Sequence, residues 1–199
     1  ENINVVKDQE LPDGNFPTVE YPNPEDKKAF KLALELAQKV DAQIILATDP
    51  DADRLGVYVK DTKTNTYIPF TGNMSALIIL EYILSQRKEN GSQAKNGAVI
   101  KTIVSSNLTD AIADEYKMHL IETLTGFKYI GEKIREFQEA GDRKYLFGFE
   151  ESYGYLAGEF VRDKDAVIAS MLIAEMTLFY KQQGKSLYDG LIDLYNKYG

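Results

Sequence analysis

Three aspartates at alternate positions are the residues of this sequence best suited to chemistry. The stretch IILATDPDADRLGVYV, residues 44–59, places Asp49, Asp51 and Asp53 between two apolar runs, with Arg54 directly behind them. Like charges on one short turn repel one another unless a cation neutralises them, and carboxylate oxygens are the ligands that hard divalent metals prefer. The stretch therefore predicts a metal-binding loop at a strand end, with a solvated acidic loop as the alternative.

Two other motifs fit the residues of this acidic loop poorly, and a third alternative remains. An EF-hand loop that starts at Asp49 needs Gly at its sixth position and Glu at its twelfth, where this chain has Arg54 and Lys60. A phosphatase of the aspartyl-nucleophile type is expected to carry Thr or Val where Asp53 stands. An Asp-x-Asp glycosyltransferase stays open, and nucleotide-sugar binding would distinguish it.

Alternating helices and strands must position this loop. The pattern predicts an extended lead-in over 1–22 with a turn at 11–16, then a helix over 23–40 with Asn23 as its cap. It predicts strands at 42–48, 55–60, 98–104, 119–123 and 145–149, the first of them buried, and further helices at 74–87, 107–117, 128–140, 165–182 and 187–197. This alternation favours an α/β fold of layered domains with mainly parallel, mixed sheets.

A break at PFTGN, residues 69–73, predicts two units, at 1–70 and 71–199. The first unit contains only about two predicted strands and one helix, which is little for an independent domain. We therefore expect the first unit to be an incomplete domain.

Composition and charge exclude several classes of function. The 199 residues contain no cysteine, which excludes disulfides and thiolate metal sites and fits a reducing, cytoplasmic compartment. A net charge of −8 argues against a nucleic-acid partner. Apolar runs such as ALIILEYIL are interrupted by Glu81 and are too short to span a membrane. The one histidine, His119, stands at a predicted strand entrance and is expected to be structural.

Five segments, in order, resemble those of one enzyme family. TDPDADRLG resembles the metal loop of the α-D-phosphohexomutases, the phosphoglucomutase and phosphomannomutase superfamily, and FPTVEYPNPE is similar to the segment before that loop in the family's second domain. TLTGFKYIG resembles the sugar-side loop of the third domain, GFEESYGY the sugar-specificity loop, and VRDKDA the segment behind it. The variants DPDADR and GFEESYG look like the glucose-phosphate branch, which includes phosphopentomutases.

The resemblance implies a partial enzyme. Members have four domains around one cleft, and a phosphoserine of the first domain exchanges its phosphoryl group with a hexose phosphate through a bisphosphate. This chain contains no Ser-His-Asn sequence, so the resemblance covers part of domain 2 and all of domain 3. It implies a phosphoglucomutase fragment whose partners are a hexose phosphate and the family's domains 1 and 4. A phosphomannomutase, a phosphopentomutase and a non-enzymatic metal- or sugar-phosphate-binding module stay open as alternatives.

The resemblance also assigns roles to individual residues. Asp49, Asp51 and Asp53 would hold Mg²⁺, and the Arg54 guanidinium would face the transferring phosphate. Lys164 would lie near the reacting oxygens as a general acid or base, with a solvated surface lysine as the alternative. The residues implied for sugar binding are Glu150, Ser152, Thr125 and Gly126, with Arg162 and Lys128 as weaker candidates.

Overall fold

Two β-sheets and six α-helices make up the chain in the computed structural model, which describes residues 3–199. The helices are α1 (Lys31–Val40), α2 (Gly72–Glu89), α3 (Leu108–Glu115), α4 (Phe127–Ala140), α5 (Ala166–Gln182) and α6 (Leu187–Tyr198). Within residues 3–199, none of these helices combines the length and apolar character needed to cross a membrane.

The strands form one antiparallel sheet and one mixed sheet. The first sheet has the order β1-β2-β3, from β1 (Ile44–Thr48), β2 (Leu55–Asp61) and β3 (Thr66–Phe70). The second has the order β5-β4-β6-β7, from β4 (Gly97–Thr102), β5 (His119–Thr123), β6 (Lys144–Glu150) and β7 (Gly154–Ala157). β4 runs parallel to β5 and β6, whereas β7 is antiparallel to β6.

The predicted α/β class with mixed sheets is confirmed, and the parallel pairs lie in the second sheet. β1 and β2 are antiparallel because only the short acidic turn joins them, whereas a parallel pair needs a crossover of a dozen or more residues. The helix predicted over 128–140 and the strand predicted over 119–123 are both present. Gly141 ends that helix in the left-handed conformation, with φ of 65°.

The first helix begins later than its sequence pattern predicts. Asn23 does not cap it, because its side chain accepts from the Glu25 amide at 3.0 Å and closes a local turn. Asp26 instead caps a 3₁₀ helix at Lys27–Phe30, and α1 follows at Lys31. Asn and Asp side chains offer the backbone these local hydrogen bonds in place of helix, which explains the wrong start.

Four strands also differ from the sequence-based prediction. The prediction omits β3 and β7; β3 contains Pro69, which an edge strand tolerates because one side of it needs no ladder donor. β1, predicted as a buried strand, is also an edge strand, and Ile45 is its one buried residue. β4 ends at Thr102, two residues before the predicted end, and Ile103 and Val104 are exposed in the following turn.

The two sheets share one hydrophobic core. Apolar residues of β2 (Leu55, Val57 and Val59) lie in the same buried cluster as residues of α2, α5 and α6 and of one face of the second sheet. α4 covers the other face of the second sheet, and α1 packs on the other face of β2. This shared core fixes the turn between β1 and β2 relative to the carboxyl end of β6.

Candidate functional site

Asp49 closes the acidic loop between β1 and β2. Its Oδ1 accepts from the backbone amides of Asp53 at 3.1 Å and Arg54 at 3.0 Å, and its Oδ2 accepts from Arg54 Nε at 2.8 Å. Ala52 takes the left-handed conformation, with φ of 56°, and donates its amide to the Asp49 carbonyl. Asp49 is only 3% exposed, and its carboxylate holds the loop together through these hydrogen bonds.

The three aspartates form a donor set that suits a divalent cation. One carboxylate oxygen from each of Asp49, Asp51 and Asp53 lies within 4.8 Å of the other two. Asp49 is buried, Asp53 is half-buried and Asp51 is exposed, so the set opens to solvent on the Asp51 side. Oxygen donors alone, without sulfur or nitrogen, fit a hard cation of the Mg²⁺ or Ca²⁺ type.

Lys164 joins the acidic loop from the segment that precedes α5. Its Nζ lies 2.8 Å from Asp53 Oδ2 and 3.1 Å from Asp163 Oδ1, and 5.6 Å above the Phe127 ring centre. Its side chain passes close to Gly154, where an added Cβ would lie 2.3 Å from Lys164 Cδ. Glycine at this position therefore allows the lysine to reach Asp53.

The ionisation of these groups follows from their partners. Burial opposes ionisation of Asp49, but hydrogen bonds from the Arg54 backbone and guanidinium outweigh it, so the pKa of Asp49 lies below its ordinary value. Burial raises the pKa of Asp53, and Lys164 only partly offsets this. Burial also disfavours the Lys164 ammonium, but the carboxylates of Asp53 and Asp163 outweigh this and raise the pKa of Lys164. Lys164 is accordingly an ammonium ion at neutral pH.

The loop over residues 150–154 docks directly on the acidic loop. The Leu55 amide donates to the Tyr153 carbonyl at 3.0 Å, and Arg54 and Gly154 form an isolated antiparallel bridge. From the start of α5, the Ala166 amide donates to the Ala52 carbonyl at 3.0 Å. Three predicted site segments that are distant in sequence thus meet at one place.

The residues predicted for sugar binding lie at the carboxyl ends of β5 and β6. Glu150 is 8% exposed, and its Oε1 accepts from the Gly126 amide at 2.7 Å. Gly126 has φ of 116°, a conformation that favours glycine, and it immediately precedes α4. Ser152 is half-buried and Thr125 is exposed. Glu150 and Gly126 are therefore in direct contact, with Ser152 and Thr125 beside them in sequence.

The two weaker candidates, Arg162 and Lys128, are exposed, and their side chains contact residues of α4. Arg162 is exposed, and its Nη2 donates to Gln138 Oε1, near the carboxyl end of α4. Lys128 is exposed with its Nζ 5.0 Å from the Tyr129 ring centre. His119 is exposed at the start of β5, at the end of that strand opposite Thr123 and the loop that follows it.

Some contacts at the site do not follow from the sequence. Glu25 Oε1 accepts from Arg54 Nη1 at 3.3 Å, and Glu151 Oε2 accepts from Thr102 Oγ1 at 2.9 Å. Glu25 and Glu151 lie within segments that resemble those of the family, and nothing else in the sequence indicated that they would lie at the site. Thr102 had no such signal, since it stands inside the predicted strand 98–104 as an ordinary β-branched residue.

Comparison with known families agrees with this arrangement. The family model described as phosphoglucomutase/phosphomannomutase, alpha/beta/alpha domain III, matches residues 71–198. The model for alpha/beta/alpha domain II of the same family matches residues 1–63.

Individual relatives cover the whole chain but are longer. A phosphoglucomutase of Staphylococcus haemolyticus is 39% identical over 199 residues, which are 100% of this chain and 35% of that protein. A phosphoglucomutase of Staphylococcus aureus strain USA300 is 42% identical over 198 residues, 99% of this chain and 34% of that protein. The chain thus spans about a third of the length of these curated relatives.

Solved structures show the same fold. A putative phosphomannomutase from Thermus thermophilus superposes with a TM-score of 0.67 at 24% identity, covering 87% of this chain and 35% of that one. A phosphoglucomutase/phosphomannomutase family protein from Burkholderia thailandensis gives 0.60 at 21% identity, covering 80% and 31%. The domain III model matches residues 71–198, which are more than half of the chain, and this chain therefore belongs to the phosphoglucomutase/phosphomannomutase family.

Proposed function

We propose that this chain is the metal- and sugar-binding part of a phosphoglucomutase that interconverts glucose 1-phosphate and glucose 6-phosphate. The contact between the acidic loop and the loop over 150–154 carries the proposal. Leu55 N donates to Tyr153 O at 3.0 Å, and Lys164 Nζ lies 2.8 Å from Asp53 Oδ2. These contacts support a cation site for a phosphoryl group beside carboxylate and hydroxyl groups that suit a sugar.

The proposed reaction is two phosphoryl transfers in opposite directions. A phosphoserine supplied by polypeptide outside these residues gives its phosphoryl group to the free hydroxyl of a hexose monophosphate. The bond between the serine oxygen and phosphorus breaks, the sugar hydroxyl releases its proton to solvent as it forms a bisphosphate, and the serine oxygen takes up a proton from the general acid. The other phosphate of the bisphosphate then returns to the serine, which restores the enzyme. Phosphoryl transfer depends mainly on positioning and on neutralising charge. Mg²⁺ held by Asp49, Asp51 and Asp53 would act as a Lewis acid on the transferring phosphoryl group.

Arg54 and Lys164 are the proposed catalytic residues. Arg54 uses Nε for Asp49 and Nη1 for Glu25, and its side chain is 30% exposed, so further guanidinium N–H groups remain to face a phosphate oxygen. The ammonium form of Lys164 favours a role as general acid, in which it donates a proton to the oxygen that the phosphoryl group leaves.

The sugar would be held by groups on three loops. One oxygen of Glu150 is engaged by the Gly126 amide, which leaves Oε2 and the Ser152 hydroxyl for the sugar hydroxyls. Thr125 and Gly126 would contact the sugar through their backbone. Arg162 is proposed as a contact at the rim, since its guanidinium is directed to Gln138.

We also propose that residues 1–70 form part of the family's domain 2 and residues 71–199 its domain 3. The end of β3 at Phe70 and the start of α2 at Gly72 support a boundary between them. The parts of the catalytic cleft that these residues do not supply, the serine among them, would come from the family's domains 1 and 4.

Metal binding to the chain tests the first part of this proposal. Calorimetric titration with Mg²⁺, and electron paramagnetic resonance with Mn²⁺, should show one weak site that Asp51→Asn abolishes. Asp51 is the suitable position because its carboxylate is exposed and, within residues 3–199, accepts no hydrogen bond, so the fold does not depend on it. Asp114→Asn, at an exposed site on α3, is the matched control and should bind as the wild type does.

Turnover tests the second part. The chain alone should not convert glucose 1-phosphate to glucose 6-phosphate, because the phosphoserine lies elsewhere. Conversion by the purified chain would contradict the proposal that the phosphoserine lies outside these residues. Failure of both cations to bind, with a folded protein, would contradict the metal site itself.

A further inference from the structure

Glu151 stands between the two residues proposed to hold the sugar, and its side chain is bound to β4. Its Oε2 accepts from Thr102 Oγ1 at 2.9 Å, and Thr102 is 0% exposed. Ser105 Oγ lies 2.8 Å from the same hydroxyl. A hydroxyl has one proton, and the carboxylate is the stronger acceptor, so Thr102 donates to Glu151 and accepts from Ser105.

The turn that supplies this anchor is itself held firmly. Lys101, also 0% exposed, places its Nζ 2.9 Å from Asp110 Oδ2, 3.1 Å from Asn107 Oδ1 and 3.3 Å from the Ser106 carbonyl. The Ser106 amide donates to Asn73 Oδ1 at 3.0 Å. The anchor is thereby tied to both α2 and α3.

The loop over 150–154 needs such an anchor. Tyr153 takes a left-handed conformation with φ of 66°, which costs energy for a residue other than glycine. The loop is tied at one end by the Gly126 amide to Glu150 and at the other by the Leu55 amide to Tyr153. The loop also closes the ladder of β6 and β7, where Glu150 pairs with Gly154, and the Glu151 carbonyl lies against Gly72 of α2. Between the two ends, the bond from Thr102 is the hydrogen bond that holds the Glu151 side chain.

We propose that Thr102 and Glu151 are positioning residues that hold the loop over 150–154 in the conformation that presents Glu150 and Ser152 to the sugar. Neither residue would touch the substrate. The identity of the ligand rests on the proposed function, but the attachment of the loop is a property of this chain that can be measured without a ligand.

Thr102→Val tests the attachment, since it removes the hydroxyl and keeps the shape. Amide hydrogen exchange should become about five-fold faster at Gly126 and Leu55, the two amides that donate to the loop, because about one hydrogen bond's worth of stabilisation is lost locally. The exchange of Val99, in the core of β4, should not change. Thr102→Ser, which restores a hydroxyl, should return both rates toward those of the wild type.

The matched control is Thr123→Val. Thr123 is the register partner of Thr102 on β5, is buried and donates only to the Lys101 carbonyl, so its loss should leave Gly126 and Leu55 unchanged. The proposal is overturned if Thr102→Val leaves the two amides at wild-type rates, or accelerates Val99 equally. It is also overturned if Thr102→Ser exchanges as fast as Thr102→Val.

A titration with glucose 6-phosphate separates this inference from the proposed function. In the wild-type chain it should shift the amide resonances of Gly126 and Ser152, and Thr102→Val should weaken that binding about five-fold. A wild-type chain without these shifts would count against the proposed function, while the exchange rates would still decide the role of Thr102 and Glu151.

Discussion

At the scale of single residues, Asp49 shows how one carboxylate stabilises a loop in which three aspartates repel one another. Its two oxygens accept three hydrogen bonds, two from backbone amides and one from the Arg54 guanidinium. Asp51, two residues later, receives none within residues 3–199 and remains exposed. The three aspartates are thus unequal, with one structural residue, one residue paired with Lys164 and one free to solvent.

Asp49→Asn is predicted to destabilise the metal-free chain by about 1.5–3 kcal/mol, because the hydrogen bonds it weakens are charge-assisted. Asp51→Asn should change the free energy of unfolding by less than about 0.5 kcal/mol, as an exposed site. Urea denaturation at pH 7 measures both. Equal effects of the two substitutions would show that the loop does not depend on Asp49.

The lowered pKa of Asp49 gives this difference a pH dependence. The folded-state pKa lies below the unfolded value, so the stabilisation is present above the unfolded pKa, near 3.8, and is lost as the pH falls through the folded pKa. The stability gap between wild type and Asp49→Asn should therefore narrow below about pH 4. A difference in the free energy of unfolding that stays constant down to the pH of acid unfolding would contradict a lowered pKa of Asp49.

Gly154→Ala is predicted to break the ion pair between Lys164 and Asp53 while leaving the fold intact. The new Cβ would lie 2.3 Å from Lys164 Cδ, and a flexible lysine side chain moves more easily than the strand does. Asp53 then loses the partner that offsets its burial, so its pKa should rise further. Carbon-13 NMR titration of the Asp53 carboxyl measures this shift.

The control for that substitution is Gly14→Ala, where a Cβ meets nothing within 4 Å and φ lies outside the left-handed region. It should leave the Asp53 titration as it is in the wild type. If Gly154→Ala also leaves it unchanged, then Gly154 does not give the lysine access to Asp53.

At the scale of elements, local patterns predicted what local forces decide. α4 and β5 follow from apolar periodicity and a terminal glycine, which act within a few residues. The start of α1 did not follow, since Asn23 uses its side chain for a turn in place of a cap. β3 and β7 were missed although each pairs with the strand directly before it, because Pro69 and Gly154 obscure their apolar patterns.

The cap of α6 provides a test at this scale. Asp189 accepts from the amide and hydroxyl of Ser186, at 3.0 and 2.8 Å, while Ser186 Oγ accepts from the Asp189 amide. Lys63 Nζ, from the turn after β2, lies 2.7 Å from Asp189 Oδ1. These partners, the hydrogen bond from Lys63 first, lower the pKa of Asp189 to about 2.

Asp189→Asn is therefore predicted to lower the free energy of unfolding by about 1 kcal/mol at pH 7, the usual value of a capping interaction. The folded-state pKa is depressed, so this stabilisation is present above the unfolded pKa and disappears between about pH 4 and pH 2. Denaturation curves at pH 7 and pH 3 measure it. Asp193→Asn, which removes an exposed contact with Lys185, should change stability by less than half as much.

At the scale of the whole molecule, the candidate site depends on contacts that no local pattern reveals. Motif resemblance identified the acidic loop and the loop over 150–154 separately. Their contact through Leu55 and Tyr153, and the ion pair of Asp53 with Lys164, follow from the docking of one sheet against the helices of the other. The contact of Thr102 with Glu151 could not be predicted for the same reason, because it forms only when β4 and the end of β6 lie side by side.

The shared core predicts that the two sheets unfold together. Val57 of β2 is 1% exposed and belongs to the cluster that contains Val99 of β4 and residues of α2, α5 and α6. Val57→Ala should cost about 2 kcal/mol, from lost burial and the cavity that remains. In one cooperative unit, that cost lowers the exchange protection of the most protected amides equally in both sheets, since both exchange through the same global opening.

Amides of β2 and β4, followed in the same hydrogen-exchange experiment, should therefore lose equal free energy of protection. A loss confined to β2, with Val99 and Ile100 protected as before, would show that the acidic loop belongs to a separately unfolding unit and that the site is held together only by its surface contacts.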